Sequence, residues 1–235
     1  MQILAYICVQ AFNCPGDNNM RPQASLFPVL AAALALTLPG FASAQHAPPQ
    51  EQAATTVTFA ATQDALRDLW IGHVFWVRAV VDARFEGNGD AAKAAEQQVV
   101  ANAQAIAGAI EPFYGEAAST QLFELLAGHW GAISNYLDAT LADSKAEQDA
   151  AFQQLVDNAN AIAQFLGGAN PYWPVDTVSG LLMAHGSHHT QQIQQFSAGD
   201  FEREAKTWTM MKDHMYVIAD ALAGGLAKQF PDKFH

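Results

Sequence analysis

Apolar residues recur at helical spacing along residues 59–230. In the first segment they form one stripe with the 3.6-residue period of an amphipathic helix: Leu66, Leu69, Trp70, Trp76, Val77 and Val80. The stripe stops at Glu86–Asp90, where Gly and Asn interrupt the helix and Asp90 is placed to cap the next one. Similar breaks occur near Asp143–Ser144 and Ala198–Asp200. The pattern therefore predicts helices in pairs that are joined by short turns.

The chain also repeats itself. The segments LWIGH (Leu69–His73), LLAGH (Leu125–His129) and LLMAH (Leu181–His185) place a His every 56 residues. At the same offset QQVVANAQAIA (Gln97–Ala107) matches QQLVDNANAIA (Gln153–Ala163), and the third copy is more divergent. A repeat of this length indicates stacked supersecondary units that share one core.

We expect three helical hairpins, over residues 59–115, 116–174 and 175–230, packed as one all-α bundle. The single domain then covers residues 59–235, after a flexible lead-in rich in Pro, Gln and Thr at residues 45–58.

Residues 1–44 read as a leader and a secretory signal peptide. A basic residue, Arg21, precedes the apolar run Leu26–Leu38, and Ala42-Ser43-Ala44 is an A-x-A cleavage pattern. The signal begins most naturally at Met20, so either Met1 or Met20 is the true start. We expect export to the periplasm or beyond, with no membrane insertion after cleavage.

Net charge and cysteine content limit the partners and metal ligands that this chain can use. The formal net charge is −12, which repels nucleic acid and anionic lipid. The two cysteines, Cys8 and Cys14, both precede the predicted cleavage site, so the mature protein has no thiol. Disulfides, thiolate zinc sites and covalent c-type haem are thereby excluded, and any metal must use His, Met, Asn or carboxylate ligands.

Six polar residues interrupt the core-facing stripes of the predicted helices. They are His73, Asn102, His129, Asn158, His185 and His214. In an antiparallel hairpin, residues equidistant from the turn lie level, and each successive pair of these six is centred on its turn. The sequence therefore predicts one layer of four histidines and two asparagines across the bundle interior.

Two interpretations of this layer stay open. The layer can be architectural, with histidines that bond to asparagines and fix the helix register, as in a non-catalytic envelope or interaction protein. Alternatively it binds a metal, because four imidazoles in a core are hard to pair without a ligand. Metal binding is the preferred reading. A metalloenzyme and a non-covalent haem protein are lesser alternatives.

Neutral imidazoles without thiolate or carboxylate favour copper or zinc. Methionines near the layer in the third hairpin, including Met211, put copper ahead of zinc. The predicted ligands are His73, His129, His185 and His214. Possible accessory groups are His188, His189, Met211, Asn102 and Asn158.

The segment LWIGHVFWVR (Leu69–Arg78), with its L-W-x-x-H-V-x-W-x-R motif, resembles a family of small bacterial helical proteins. The resemblance covers most of residues 64–231 and implies a helical fold, but no activity. The sequence as a whole predicts an exported protein that buffers or delivers a transition metal, and it favours a binding protein over an enzyme.

Overall fold

The structure is a computed structural model that describes residues 58–234. Within this part it is a helical bundle without strands. The long helices are α1 (Phe59–Phe85), α2 (Gly89–Gly108), α4 (Glu116–Leu141), α5 (Lys145–Ala169), α6 (Val175–Ser197) and α7 (Phe201–Gln229). One-turn helix α3 (Glu111–Tyr114) precedes α4, and a 3-10 turn (Pro231–Lys233) follows α7. The predicted leader and signal peptide, nearly all of the lead-in, and His235 lie outside the described residues.

Each hairpin turn contains one residue in the left-handed region of backbone conformation. These residues are Gly87 (φ 70°), Asp143 (φ 53°) and Gly199 (φ 65°). In each case the next backbone N–H donates to a carbonyl five residues back, for example from Asn88 to Ala83 at 2.9 Å. This 6→1 bond closes the end of the preceding helix and reverses the chain within three residues.

The helices that follow two of these turns are capped by a turn residue. Asn88 accepts a hydrogen bond from the backbone N–H of Ala91, and Asp200 accepts one from that of Arg203. The predicted cap at Asp90 is therefore wrong by two residues. Asp90 lies instead in the first turn of α2, where a negative charge favours the helix dipole.

The six long helices form a closed ring in chain order. The hairpins are α1 with α2, α4 with α5, and α6 with α7; in addition α2 packs on α4, α5 on α6, and α7 on α1. Helix α6 also contacts α4 and α1 across the interior. The first helix of every hairpin therefore reaches the centre of the bundle.

The core consists of two apolar clusters. One contains Trp70, Leu126 and Leu182, and the other contains Val77, Ile133 and Ile193, nearer the hairpin turns. Along α1, α4 and α6, the recurring histidines fall between these two sets. A polar layer thus separates two apolar halves of one bundle.

Candidate metal site

Four buried histidines meet at the centre of the bundle. Helix α1 contributes His73, α4 contributes His129, and α6 contributes His185 and His189. One ring nitrogen of each lies within 4.8 Å of the corresponding nitrogens of the other three. The side chains are only 1–6% exposed. The structure therefore contains a histidine group that can hold a metal ion, referred to below as the His cluster.

The Nε2 atoms of His185 and His189 are about as far apart as two ligands of one tetrahedral metal ion. They are four residues apart on α6, so they share one helix face, and their Nε2 atoms are 3.2 Å apart. Two ligands of a tetrahedral ion at 2.0–2.1 Å are about 3.3 Å apart. The rings of His73 and His129 lie 5.4 Å and 5.3 Å from that of His185, centroid to centroid. The nitrogens of all four histidines lie within 4.8 Å of one another, and a tetrahedral ion would require ligand nitrogens about 3.3 Å apart.

Several ring nitrogens of the His cluster are buried without a hydrogen-bond partner among residues 58–234. They are His73 Nε2, His129 Nδ1, His129 Nε2 and His185 Nδ1. A buried polar atom left unpaired costs about 1–3 kcal/mol. A bound cation would accept lone pairs from this set, which an apolar neighbour cannot do.

Burial also holds these imidazoles in the neutral form. It lowers the pKa of His73 to about 3, and the neighbouring His129 lowers it further. Burial lowers the pKa of His129 to about 4, partly opposed by the side chain of Asn158. Burial followed by mutual repulsion lowers the pKa of His185 and His189 well below the usual value. Neutral imidazole is the form that binds metals.

The surroundings of the His cluster are apolar. The edge of Trp70 packs on His73 and His185, with ring centroids 6.0 Å and 6.3 Å away. A space of about 10 Å³ adjoins the rings, enough for one water-sized particle. An apolar cavity of about 80 Å³ lies on the other side of Trp70, Leu126 and Leu182. The space beside the rings is large enough for a single ion.

The two asparagines of the predicted layer bind backbone rather than the cluster. Asn102 donates from Nδ2 to the carbonyl of Leu69 at 3.0 Å, and Asn158 donates in the same way to Leu125 at 2.9 Å. A Cβ at Gly72 or Gly128 would stand 3.1 Å and 3.0 Å from these amides. The glycines therefore make room for an asparagine that crosses to the partner helix of its hairpin.

His214 takes the position of these asparagines and is absent from the His cluster. Its Nε2 donates to the carbonyl of Leu181 at 2.8 Å, which repeats the bond of Asn102 and Asn158 across the third hairpin. Its ring contacts His188, with centroids 5.5 Å apart. The sequence predicts His214 on an inward stripe with His73, His129 and His185; in the structure its side chain is half-buried and lies outside the His cluster.

His189, which the sequence offers only as an accessory group, is the fourth member of the His cluster. The signal for it is present in the chain, because His185 and His189 are at i and i+4 on one helix. His188 is half-buried and lies outside the group. Met211 is fully buried in the apolar cluster that contains Trp70.

Comparisons with known proteins do not assign this chain to a family. The chain matches no family model, and neither the curated proteins nor the solved structures include one similar to it. The resemblance of Leu69–Arg78 to a bacterial family therefore stays a prediction. Between residues 58 and 234 none of the helices combines the length and hydrophobicity that a bilayer-spanning segment needs.

Proposed function

We propose that this protein binds one transition-metal ion, copper or zinc, through His73, His129, His185 and His189, and that it buffers this metal outside the cytoplasm. The observation that carries the proposal is the approach of four neutral, buried imidazoles to within 4.8 Å of one another. Imidazole nitrogen is a ligand that both metals favour. The donor set itself does not separate copper from zinc, so the metal is identified by experiment.

The number of ligands favours binding over catalysis. Four protein ligands complete a tetrahedral site, whereas catalytic zinc sites keep one position open for water or substrate. The His cluster is also walled by apolar side chains such as Trp70 and Leu126. Buffering of the ion is the function that such a closed site supports.

The alternative is a purely architectural layer. In that case the ring nitrogens would be expected to pair with the nearby asparagines. Asn102 and Asn158 instead use their amide N–H groups on backbone carbonyls, and their Oδ1 atoms also lack partners among the described residues. This incomplete pairing favours a ligand over a finished hydrogen-bond network.

Export is part of the proposal. The apolar run Leu26–Leu38 and the A-x-A pattern at Ala42–Ala44 support a cleaved secretory signal. N-terminal sequencing of the protein recovered from its native host should yield Gln45 as the first residue. Recovery from the cytoplasm with residues 20–44 still attached would contradict export but leave metal binding untouched.

Metal binding is tested on the mature chain, purified without a histidine tag. We expect close to one Zn²⁺ or Cu⁺ per chain in equilibrium titration followed by elemental analysis. His73→Ala and His129→Ala should each weaken binding at least about 100-fold, since loss of a supporting group alone costs 10- to 100-fold. His235→Ala is the control and should bind as the wild type does. No bound metal, or equal affinity in all variants, would refute the proposal.

A further inference from the structure

The third hairpin carries two histidines outside the His cluster at positions where the other two hairpins have other residues. Where they carry Asn102 and Asn158 it carries His214, and where they carry Trp76 and Ala132 it carries His188. The structure brings these two departures together, because the rings of His188 and His214 are in contact at 5.5 Å between centroids. They are also the two remaining histidines of residues 58–234 outside the His cluster.

The hydrogen bond of His214 to the backbone fixes the tautomer of its ring. A carbonyl oxygen only accepts hydrogen bonds, so the contact with Leu181 places the proton of the neutral ring on Nε2. The lone pair is then on Nδ1. Metal-binding histidines are typically held in this way, by donating the other ring N–H to a backbone carbonyl. The asparagines at the equivalent positions make the same bond without supplying a ligand.

His188 supplies a second ring nitrogen and lies next to the His cluster. Its Nδ1 is buried without a partner in the described part of the chain, although the side chain as a whole is only partly buried. On α6 it lies one turn from His185 and next to His189. The pair of His188 and His214 thus adjoins the His cluster while solvent still reaches it.

We propose that His188 and His214 form a second, two-imidazole metal site that takes the ion from solvent and passes it to the His cluster. The inference rests on the proposed function. Two protein nitrogens, with solvent completing the shell, bind a copper or zinc ion less tightly than four. Transfer towards the His cluster is therefore downhill. Such a site would let a metal ion enter the fully buried His cluster without wide opening of the bundle.

The asparagines of the first two hairpins suggest the test. His214→Asn is made together with Ala184→Gly, which gives the amide the room that Gly72 and Gly128 give Asn102 and Asn158; it should keep the bond to Leu181 but removes the imidazole. His188→Gln removes the second nitrogen. Asp213→Asn is the control, because it changes an exposed residue beside His214 without touching either ring. The probe is Co²⁺, which takes tetrahedral nitrogen sites and absorbs visible light when it does.

Stopped-flow absorption measures the rate of Co²⁺ loading, and equilibrium titration measures affinity. We expect His214→Asn and His188→Gln to slow loading by roughly tenfold or more, with affinity and stoichiometry of the His cluster unchanged. Asp213→Asn should load at the wild-type rate. Thermal unfolding of all three metal-free variants should match the wild type.

Other outcomes separate the two proposals. Unchanged loading rates in both histidine variants would overturn this inference and leave the proposed function standing. A fall in affinity as large as the fall in rate would also overturn it, since His214 would then be a ligand of the cluster. If the His cluster of the wild type takes up none of Co²⁺, Zn²⁺ and Cu⁺, the proposed function fails. NMR of the imidazoles with Zn²⁺ then decides the outer site: perturbed His188 and His214 resonances support it, and unperturbed ones refute it.

Discussion

The imidazole of His129 is the least satisfied polar group of the His cluster. Both of its ring nitrogens are buried without a partner among the described residues, and its pKa is lowered to about 4 because of burial. A buried nitrogen without a partner costs free energy, which a bound ligand would return. If the proposed function holds, the same residue weakens the metal-free fold and stabilises the metal-bound one.

This trade-off predicts the effect of His129→Leu. Leucine has a similar volume and no polar atoms, and it would join the two apolar clusters above and below the layer. We expect the free energy of unfolding of the metal-free protein to rise by about 1–3 kcal/mol, while metal no longer stabilises the variant. Urea unfolding with and without Zn²⁺ measures both effects. An architectural histidine would give the opposite sign, with a destabilised metal-free variant.

The sequence predicts three of the four members of the His cluster. His73, His129 and His185 follow from the repeat and from their distance to the turns, whereas the sequence sets His214 beside them and offers His189 only as an accessory group. That distance gives the height of a residue along a helix, but not what its side chain meets. His214 bonds to the carbonyl of Leu181. The fourth member of the His cluster is His189, which lies one turn after His185 on α6. Such choices depend on packing between helices, which spacing along one chain does not determine.

At the scale of elements, Trp173 in the link between α5 and α6 closes one end of the bundle. Its indole is buried, donates to the carbonyl of Ala221 at 3.2 Å, and lies against Gly225 of α7. A Cβ on Gly225 would stand 1.9 Å from Trp173 Nε1, which is far inside contact distance. The glycine is thus required by a neighbour distant in sequence.

Gly225→Ala should accordingly destabilise the protein by about 1–3 kcal/mol, because the indole must move and its hydrogen bond is lost. Gly224→Ala is a matched control one residue away, where a Cβ meets nothing within 4 Å. There the better helix propensity of alanine should add about 0.5–1 kcal/mol. Chemical denaturation of the two variants checks the difference. Equal effects of the same sign would contradict the packing described for Trp173.

The sequence predicts the helices and their turns, but not which helices of different hairpins pack against each other. Hydrophobic period and the Gly and Asp residues of the turns predict each hairpin, and the structure has turns at Gly87, Asp143 and Gly199. No comparable pattern in the sequence predicts that α7 packs against α1 and closes the ring. The ion pair of partly exposed Arg78 with buried Glu204, at 2.7 Å, joins these two helices over a long sequence separation. Pairing of this kind depends on which helices are neighbours.

For the whole molecule, the His cluster predicts acid sensitivity of the metal-free protein. The unfolded chain protonates these histidines near pH 6.5, but the folded chain protonates His129 and His73 only at about 4 and about 3. Between these values the unfolded state binds more protons, so the free energy of unfolding falls as pH falls. The slope is about 1.4 kcal/mol per pH unit for each histidine involved.

Urea midpoints at pH 7.5, 6, 5 and 4 test this. The wild type should lose stability steadily below about pH 6.5, and His129→Leu should lose it less steeply because one titrating group is gone. Added Zn²⁺ should protect at pH 7.5 and lose its effect in acid, where protons compete for the imidazoles. Stability that is flat from pH 7.5 to 4 would show that these histidines are not held neutral by burial.

The most direct test of the account is to locate the metal. Crystals of the mature protein loaded with Zn²⁺ or Cu⁺ would be measured at the absorption edge of that metal, and an anomalous difference map calculated. We predict one strong peak inside the bundle, about 2.0–2.1 Å from one ring nitrogen each of His73, His129, His185 and His189. A protein that remains metal-free under these conditions, or whose only peak lies away from these four rings, would contradict the account.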